Sequence, residues 1–347
     1  MRLLSEQDVE RLMDVETAIA AAAEAYRRHS AGLMPAPGRL DLGRRDPLGS
    51  ALVLAGHSSD HRFAVKSNLH AYPDPASGRR VAASMLTLWD TAACVPLALI
   101  ATTGFNNHRT AAGFAAATRL LARDDVRTLA VFGAGKIAPA TIRYLTLVRP
   151  FDRVLIVGRG PERARQLAEA LRGTPRFSSI SIEAETDPAR AAQAADVITT
   201  ITTSSDPVFP GEAVRPGTFV ILGGANRPLT READDVLMRR AHVYADHLEG
   251  GLERAGDLKL ALATGALTRA RIAGEIGSFV GGERPVAAAG TDVTIFKSIG
   301  IAAQDLLLAD ALLVCAEAEG AGLLFDPRDG TVGESASART VLSQASS

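Results

Sequence analysis

Apolar and polar positions follow two different patterns along the chain. From Val126 onward, short and mainly apolar runs, such as Thr128–Phe132, Arg153–Val157 and Thr218–Leu222, are separated by helical stretches. Strands that are apolar on both sides are typical of a parallel sheet whose two faces are covered by helices. The pattern predicts a doubly wound α/β sheet of the Rossmann type over about residues 123–290.

The remaining sequence has another texture. Ser5 and Asp14 are placed to cap two N-terminal helices. Between residues 32 and 104, short β-like runs are broken by Gly, Pro and Asp, which is typical of strands and turns. A helix rich in small residues is expected over Arg109–Ala122, with Arg109 at its start. Lys66 is expected at the end of a short strand.

The alternation of strands and helices ends near residue 290. A strand and a long apolar helix are predicted after residue 290. Residues 1–122 and 291–325 therefore lie outside the predicted Rossmann domain of 123–290. The segment 326–347 is rich in Ser, Gly and Thr and is expected to be a flexible tail.

Composition excludes several classes of partner. The 347 residues carry 38 Lys plus Arg and 39 Asp plus Glu, a net charge of −1, which disfavours nucleic acid and anionic membranes. The N-terminus lacks a signal-peptide pattern, and no apolar run reaches the ~18 residues of a membrane span, so a cytoplasmic location is expected. Cys94 and Cys315 lie in apolar runs and are interpreted as buried free thiols, with no metal site.

A dinucleotide fingerprint follows the first predicted parallel strand. Gly133, Ala134 and Gly135 form a G-x-G-x-x-A turn that ends at Ala138, where a helix begins. The first glycine permits the tight turn, and the second lets the backbone approach a pyrophosphate. The helix N-terminus then faces the phosphate charge. This motif predicts a bound nicotinamide dinucleotide, against the alternative of a simple strand–helix connection.

The end of the next strand bears on the choice of cofactor. An NAD site commonly has an acidic residue there to bind the ribose 2′-hydroxyl. This chain has Arg159 and Arg163 instead, and guanidinium groups suit a 2′-phosphate. NADP(H) is therefore favoured over NAD(H), although both arginines could simply be solvated residues at a helix start.

Three basic residues of the first domain suggest a site for an anion. Lysine is rare, with only four in the chain, and Lys66 falls where composition does not explain it. Arg109, at a predicted helix start, would oppose the helix dipole and so needs an anion nearby. A substrate carboxylate would serve, and Arg39 could add a second contact, although each residue alone could be a surface cation.

Six segments, in this order and spacing, resemble the ornithine cyclodeaminase and mu-crystallin family. They are Val65–Asn68, His108–Ala112, Phe132–Gly135, Thr202–Val208, Gly224–Pro228 and Thr294–Gly300. The resemblance implies NAD(P)H-linked chemistry on imines of small amino acids or 2-oxo acids. It also implies that residues 1–122 and 291–325 fold together into an α+β domain for substrate binding and dimerisation, through which two copies form a homodimer. Members include cyclodeaminases, alanine dehydrogenases, ketimine reductases and pyrroline-2-carboxylate reductases.

The resemblance also assigns roles to residues. Lys66 looks like the family's active-site lysine, which binds the substrate carboxylate and polarises the imine. Arg109 looks like the carboxylate-binding arginine, with Arg39 as its helper. The cofactor is expected to lie beside the phosphate loop and four further residues, Thr110, Ile137, Thr202 and Ser204.

One position departs from the family pattern. Where cyclodeaminases carry a catalytic aspartate, this chain has Asn226, which cannot titrate, and Thr230 replaces a lysine common in that subgroup. Cyclodeamination needs several proton transfers, whereas reduction of a preformed imine needs a hydride and one proton. We therefore expect an imine reductase or amino-acid dehydrogenase. An ornithine cyclodeaminase and a non-catalytic NADPH-binding protein remain as alternative functions. Because Asn226 cannot titrate, His108 is a candidate proton donor.

Overall fold

The two sequence textures correspond to two structural units. A computed structural model describes residues 1–35, 37–43, 50–70, 82–282 and 292–333. The first unit comprises Met1–Arg109 and Ile301–Ser347, and the second comprises Thr110–Gly300. One boundary thus lies inside a helix, and the other lies just before the last helix, about ten residues from the positions expected near 122 and 290.

The first unit begins with capped helices. Ser5 and Asp8 form a capping box, each side chain accepting the other residue's backbone N–H, and the Asp14 carboxylate accepts from the N–H of Thr17 at 2.8 Å. The elements up to residue 121 are β1 (Arg2–Leu4), α1 (Glu6–Leu12), α2 (Val15–Ser30), β2 (Leu40–Gly43), β3 (Ser50–Ser58), β4 (Arg62–His70), β5 (Ala82–Asp90), β6 (Val95–Ala101) and α3 (Thr103–Leu121).

The second unit alternates strands and helices, and the chain then returns to the first unit. The second unit contains β7 (Thr128–Phe132), α4 (Ala138–Val148), β8 (Arg153–Val157), α5 (Pro161–Arg172), β9 (Ser181–Ala184), α6 (Pro188–Ala194), β10 (Val197–Thr200), β11 (Phe219–Leu222), α7 (Asp235–Arg240), β12 (Ala241–Ala245), α8 (Leu248–Arg254), α9 (Gly256–Ala263), β13 (Ile272–Glu275) and β14 (Val293–Lys297). The C-terminal elements are α10 (Ala302–Ala318), β15 (Leu323–Phe325) and β16 (Val332–Gly333).

The second unit is the doubly wound domain that the sequence predicts. The eight strands that the structure describes in this unit are all parallel, in the order β13-β12-β14-β11-β10-β7-β8-β9. Every residue of β10, β11 and β12 is buried, which explains their mainly apolar sequences. The chain order reverses direction beside β7, so ligands are expected at the carboxyl ends of β7 and β10.

The first unit is a mixed sheet covered on one face by helices. Its strand order is β16-β15-β1-β6-β5-β4-β3-β2, with β1 parallel to β6 and the other pairs antiparallel. Helix α10 packs on α2 and on β3 and β4. A Cβ atom at Gly56 would lie 3.1 Å from the Cβ of Ala302, so the glycine lets α10 approach β3 closely.

Two expectations about the chain are corrected. Cys94 is exposed, because it occupies the turn between β5 and β6 with a φ of 54°, and Cys315 is only partly buried on α10. Their apolar sequence neighbours do not determine their burial. Part of the expected flexible tail is ordered, since β16 pairs with β15; residues 334–347 lie outside the described residues. No helix of the described residues has the length and apolar character that crossing a bilayer requires.

Candidate active site

Lys66 lies in the middle of β4 and not at a strand end. Successive side chains of a strand point to opposite faces, so Ala64, Lys66 and Asn68 share the buried face of the sheet. Lys66 is 2% exposed, which is unusual for a lysine without a partner. The sequence stopped the strand too early, because Lys66 and Ser67 interrupt its apolar pattern.

The ammonium group of Lys66 has two described partners in the first unit. Its Nζ donates to Asp305 Oδ1 at 2.6 Å and to Asn106 Oδ1 at 2.9 Å. Asp305, on α10, is also almost completely buried. The sequence analysis missed Asp305. A signal was present, since this acid lies on the same helical face as Ala302, Ala309 and Leu312, where an unpaired charge would be costly.

Arg109 has a different setting from the one expected. Helix α3 begins at Thr103, and the backbone N–H groups of Thr103 and Gly104 donate to the Glu6 carboxylate. Arg109 is therefore in the second turn of α3. The helix dipole does not require an anion beside it, because the effect of the dipole falls off within the first turn. Its anion is Asp305: Arg109 Nε lies 3.1 Å from Asp305 Oδ1, an ion pair without hydrogen-bond alignment.

The surroundings of Lys66 perturb its protonation. Burial lowers the pKa of Lys66 from 10.5 to about 8, the charges of Arg109 and Arg39 act in the same direction, and Asp305 opposes them. Lys66 therefore interacts electrostatically with two further cations and one carboxylate of the first unit. Such a cluster has excess positive charge and is suited to bind a carboxylate.

His108 is held by another residue. Its Nε2 lies 3.1 Å from a carboxylate oxygen of Glu10 on α1, and the imidazole is buried. This contact gives His108 a role in joining α1 to α3. It weakens the case for His108 as the proton donor that the sequence analysis considered.

The phosphate loop of the second unit fits a dinucleotide. Gly133 has a φ of +122°, and a Cβ there would lie 2.7 Å from the Ile201 carbonyl oxygen, so a side chain is excluded. At Gly135 a Cβ would meet no atom within 4 Å, which leaves the backbone open to a ligand. Helix α4 begins at Ala138, and its N-cap residue, Ile137, gives no side-chain cap. The open backbone at Gly135 and the helix N-terminus behind it suit a pyrophosphate.

The two arginines considered for cofactor selection follow β8. Arg159 and Arg163 are both exposed, at the start of α5, and neither forms an ion pair with another described residue. Arg165, two positions further, pairs weakly with Glu162 at 3.9 Å. Two guanidinium groups are thus available beside the strand that borders the phosphate loop.

A buried carboxylate that the sequence analysis missed fixes the loops after β10 and β11. Glu232 is fully buried, and its two oxygens accept from the hydroxyl of Thr200, the N–H and hydroxyl of Thr202, and the N–H groups of Gly224 and Ala225, at 2.7–3.1 Å. In sequence, Glu232 belongs to an acidic stretch that looks like ordinary surface, so no signal identified it.

The remaining predicted residues lie along these loops and α3. Asn226 is exposed and follows the two N–H groups that Glu232 binds. Ser204 donates its N–H to the Thr202 hydroxyl and its own hydroxyl to the Asp206 carbonyl, so Glu232, Thr202 and Ser204 are linked. Thr110 is half-buried on α3 as the first residue of the second unit.

A second buried lysine supports the same network. Lys297 is fully buried at the end of β14, and its Nζ donates to Asp257 Oδ2 at 2.8 Å. The other Asp257 oxygen accepts from the N–H groups of Glu232 and Ala233 at 2.6 and 3.2 Å. Lys297 therefore holds Asp257, and Asp257 holds the backbone that carries Glu232.

Comparisons with known proteins agree with this arrangement. The chain is 38% identical over 205 residues to the Delta(1)-pyrroline-2-carboxylate reductase of Paracoccus denitrificans, covering 58% of this chain and 63% of that protein. It is similar to the Thermococcus litoralis Delta(1)-pyrroline-2-carboxylate reductase solved with NADH and L-proline, with a TM-score of 0.85, 26% identity and coverage of 93% and 99%. A lysine cyclodeaminase structure has a TM-score of 0.78 and 26% identity, with coverage of 93% and 94%.

The chain also matches a protein-family model. The model of the ornithine cyclodeaminase/mu-crystallin family matches residues 1–319, which is most of the chain. The resemblance seen in separate motifs therefore extends through both structural units. This chain belongs to the ornithine cyclodeaminase/mu-crystallin family.

Proposed function

We propose that the protein reduces an imine of a small 2-oxo acid with NAD(P)H. The observation that carries the proposal is the buried cluster of Lys66, Arg109 and Asp305, with Arg39 acting on it. A buried ammonium beside two guanidinium groups is suited to a substrate carboxylate. The phosphate loop at Gly133–Gly135 fits a dinucleotide, and the likeness to pyrroline-2-carboxylate reductases supports the same chemistry.

Each group has a defined task in this proposal. Arg109 and Arg39 bind the substrate carboxylate and orient the adjacent carbon. Lys66 provides positive charge and a proton at the imine nitrogen, and Asn226 offers a hydrogen bond to that nitrogen. The nicotinamide supplies the hydride when it is bound. Gly133, Ala134, Gly135 and Ile137 hold its pyrophosphate, while Thr110, Thr202 and Ser204 bind near the nicotinamide.

Asn226 favours a reductase over a cyclodeaminase. A cyclodeaminase must move several protons between two amines and released ammonia, and an amide cannot titrate. The buried carboxylate of Glu232 does not replace the missing aspartate, because five donors already occupy its oxygens. Imine reduction requires one proton, which Lys66 can give.

NADPH is the proposed cofactor, with NADH as the weaker alternative. Arg159 and Arg163 are exposed and have no ion-pair partner among the described residues, so they are available to a 2′-phosphate. Replacing both with Ala is expected to weaken NADPH binding at least tenfold, a loss of about 1.4 kcal/mol in binding free energy. NADH binding should change little. Arg165→Ala is the matched control. Equal losses for both cofactors would contradict the assignment.

We also propose that two copies associate through the uncovered face of the first sheet. Leu69 and Met85 are 57% and 44% exposed on that face, beside the partly exposed Val65 and Leu99. Exposed large apolar side chains on one sheet face are typical of a protein interface. Leu69→Glu with Met85→Glu should convert a dimer into monomers in light scattering. Leu229→Glu, at an exposed site of the second unit, should leave the mass unchanged.

The central experiment is a screen of NADPH oxidation. Substrates are pyrroline-2-carboxylate, piperideine-2-carboxylate, and pyruvate, glyoxylate or oxaloacetate with ammonia or an amine. We expect saturable turnover with at least one imine and formation of the matching amino or imino acid. Lys66→Ala should lose far more than tenfold in kcat/KM, and a loss within about tenfold, roughly 1.4 kcal/mol, would remove Lys66 from the mechanism.

Two outcomes would support the alternatives. Robust conversion of ornithine or lysine to a cyclic amino acid with release of ammonia would identify a cyclodeaminase and contradict imine reduction as the main activity. Tight NADPH binding without oxidation by any imine would identify a binding protein. The carboxylate-binding cluster argues against the second outcome, since a cofactor-binding protein has no need of it.

A further inference from the structure

Asp305 has an arrangement that a purely structural carboxylate would not need. Both cations use a single oxygen: Lys66 Nζ lies 2.6 Å and Arg109 Nε 3.1 Å from Oδ1. The other oxygen, Oδ2, is buried and has no hydrogen-bond partner among the residues that the structure describes. An unpaired buried acceptor is costly, and native proteins rarely keep one without a reason.

The positive groups around Lys66 make its ammonium form difficult to maintain. Arg109 from α3 and Arg39 from the segment before β2 both favour loss of the proton, and burial acts in the same direction. Asn106, also on α3, accepts a hydrogen bond but carries no charge. The neighbours of Lys66 across β3 and β5 are the apolar residues Leu54 and Leu86. Asp305 on α10 is the described carboxylate that opposes these effects.

We propose that Asp305 is a positioning residue for the imine reduction, which keeps Lys66 charged and aimed while it holds Arg109 in place. The inference rests on the proposed function for its kinetic consequences. A proton passes from Lys66 Nζ to the imine nitrogen, and a hydride from the reduced nicotinamide adds to the carbon. The C=N π bond is lost, N–H and C–H bonds form, and the neutral Lys66 amine takes a proton from solvent.

The titration of Lys66 tests this inference without any turnover. With only four lysines, the protein labelled at lysine Cε with a magnetic carbon isotope has four such signals, and Lys66→Arg identifies the one from Lys66. We expect its midpoint near pH 8 in the native chain. Asp305→Asn should lower the midpoint by about 1–3 pH units, the usual effect of removing an adjacent opposite charge.

Asp310→Asn is the matched control. Asp310 is on the same helix, in the same unit, and also holds a cation, with its Oδ1 2.7 Å from Arg62 Nε. This substitution should leave the Lys66 midpoint unchanged. If Asp305→Asn does not fold, Asp305→Ser supplies a smaller neutral residue and carries the same expectation. An unchanged Lys66 midpoint in a folded neutral variant would overturn the inference.

Kinetics separate positioning from a structural role. In Asp305→Asn, the alkaline fall of kcat/KM should move to lower pH by the same amount as the Lys66 midpoint, and activity should recover as the pH is lowered. A residue that only stabilised the fold would reduce activity equally at every pH. If the native protein reduces no imine, the proposed function fails while the titration still tests Asp305. If it does and neither midpoint nor profile moves, Asp305 is not a positioning residue.

Discussion

Two buried lysine–aspartate pairs, one in each unit, use the same groups at similar distances. Lys66 lies 2.6 Å from Asp305 in the first unit, and Lys297 lies 2.8 Å from Asp257 in the second. They differ in what else the carboxylate binds. Both oxygens of Asp257 are occupied, one by Lys297 and the other by two backbone N–H groups. Asp305 uses one oxygen for two cations, and its other oxygen has no hydrogen-bond partner among the described residues.

The difference shows how one chemical pair can serve two purposes. A pair in which both carboxylate oxygens are hydrogen-bonded offsets the desolvation cost of burying its charges, and it stabilises the backbone that it holds. An unsaturated pair within an excess of positive charge is held in a less stable state, which a substrate carboxylate would relieve. We therefore interpret Lys297 and Asp257 as structural, and Lys66 and Asp305 as part of the chemistry.

The largest expected contrast is in activity. Lys66→Met should reduce kcat/KM by about 10²–10⁴-fold, since it removes both a carboxylate contact and the proposed acid. Lys297→Met, assayed as folded protein with saturating cofactor, should retain kcat/KM within about tenfold. Steady-state kinetics with the best imine of the screen make the measurement. Equal losses in the two variants would remove the functional distinction between the pairs.

The second contrast is in stability and runs in the opposite direction. Lys297→Met should lower the free energy of unfolding by about 3–5 kcal/mol, because Asp257 would remain buried without a described cation. Lys66→Met should cost less, since Asp305 keeps Arg109 at 3.1 Å. Chemical denaturation without cofactor measures both values. A larger loss in Lys66→Met would show that the first pair is structural as well.

The pH dependence of stability should identify Lys66 directly. The folded chain releases the Lys66 proton near pH 8, whereas the unfolded chain holds it up to about 10.5. Between these values the unfolded state binds more protons, so the contribution of Lys66 to the free energy of unfolding rises as the pH increases from about 8 to 10.5. Below that window this contribution does not vary with pH. The difference between the native protein and Lys66→Met, followed by denaturation across the window, isolates the effect. A flat difference would contradict a depressed pKa.

The smallest expected effect concerns the network that the structural pair supports. Glu232→Gln replaces one acceptor oxygen with a donor that faces N–H and hydroxyl donors at Thr202 or Gly224. We expect NADPH binding to weaken about tenfold, roughly 1.4 kcal/mol, because the loops after β10 and β11 lose their common anchor. Fluorescence titration measures this. Glu212→Gln, in the same unit, is the control and should bind NADPH normally.

The sequence predicted most of the second unit because local rules determine it. Apolar runs gave the parallel strands, and the glycine pattern gave the phosphate loop, since the backbone conformation at Gly133 excludes any side chain. The first unit was harder. Its strands are longer than their apolar runs, and α3 begins at Thr103 rather than Arg109, because Glu6 from another helix caps it.

The site divides in the same way. The rarity of lysine and the family-like motifs drew attention to Lys66 and Arg109 from sequence alone, but the anion expected for Arg109 was a substrate. The structure adds an anion from the protein itself, Asp305, 196 positions further along the chain than Arg109. Glu232 and Asp257 gave no sequence signal, since acids in polar segments are ordinarily solvated. Cys94 was misplaced because a turn, and not its apolar neighbours, determines its exposure.

The sequence by itself determined the parallel sheet, its phosphate loop, the family and the cations that a carboxylate needs. Periodicity, glycine stereochemistry and residue type are properties of neighbouring positions, so they can be read without the fold. The tertiary structure decided which lysine has an aspartate partner with both oxygens bonded, and which has a partner with one oxygen that lacks a described donor. That distinction depends on carboxylates brought from distant helices, and on how many donors the folded chain places around each one.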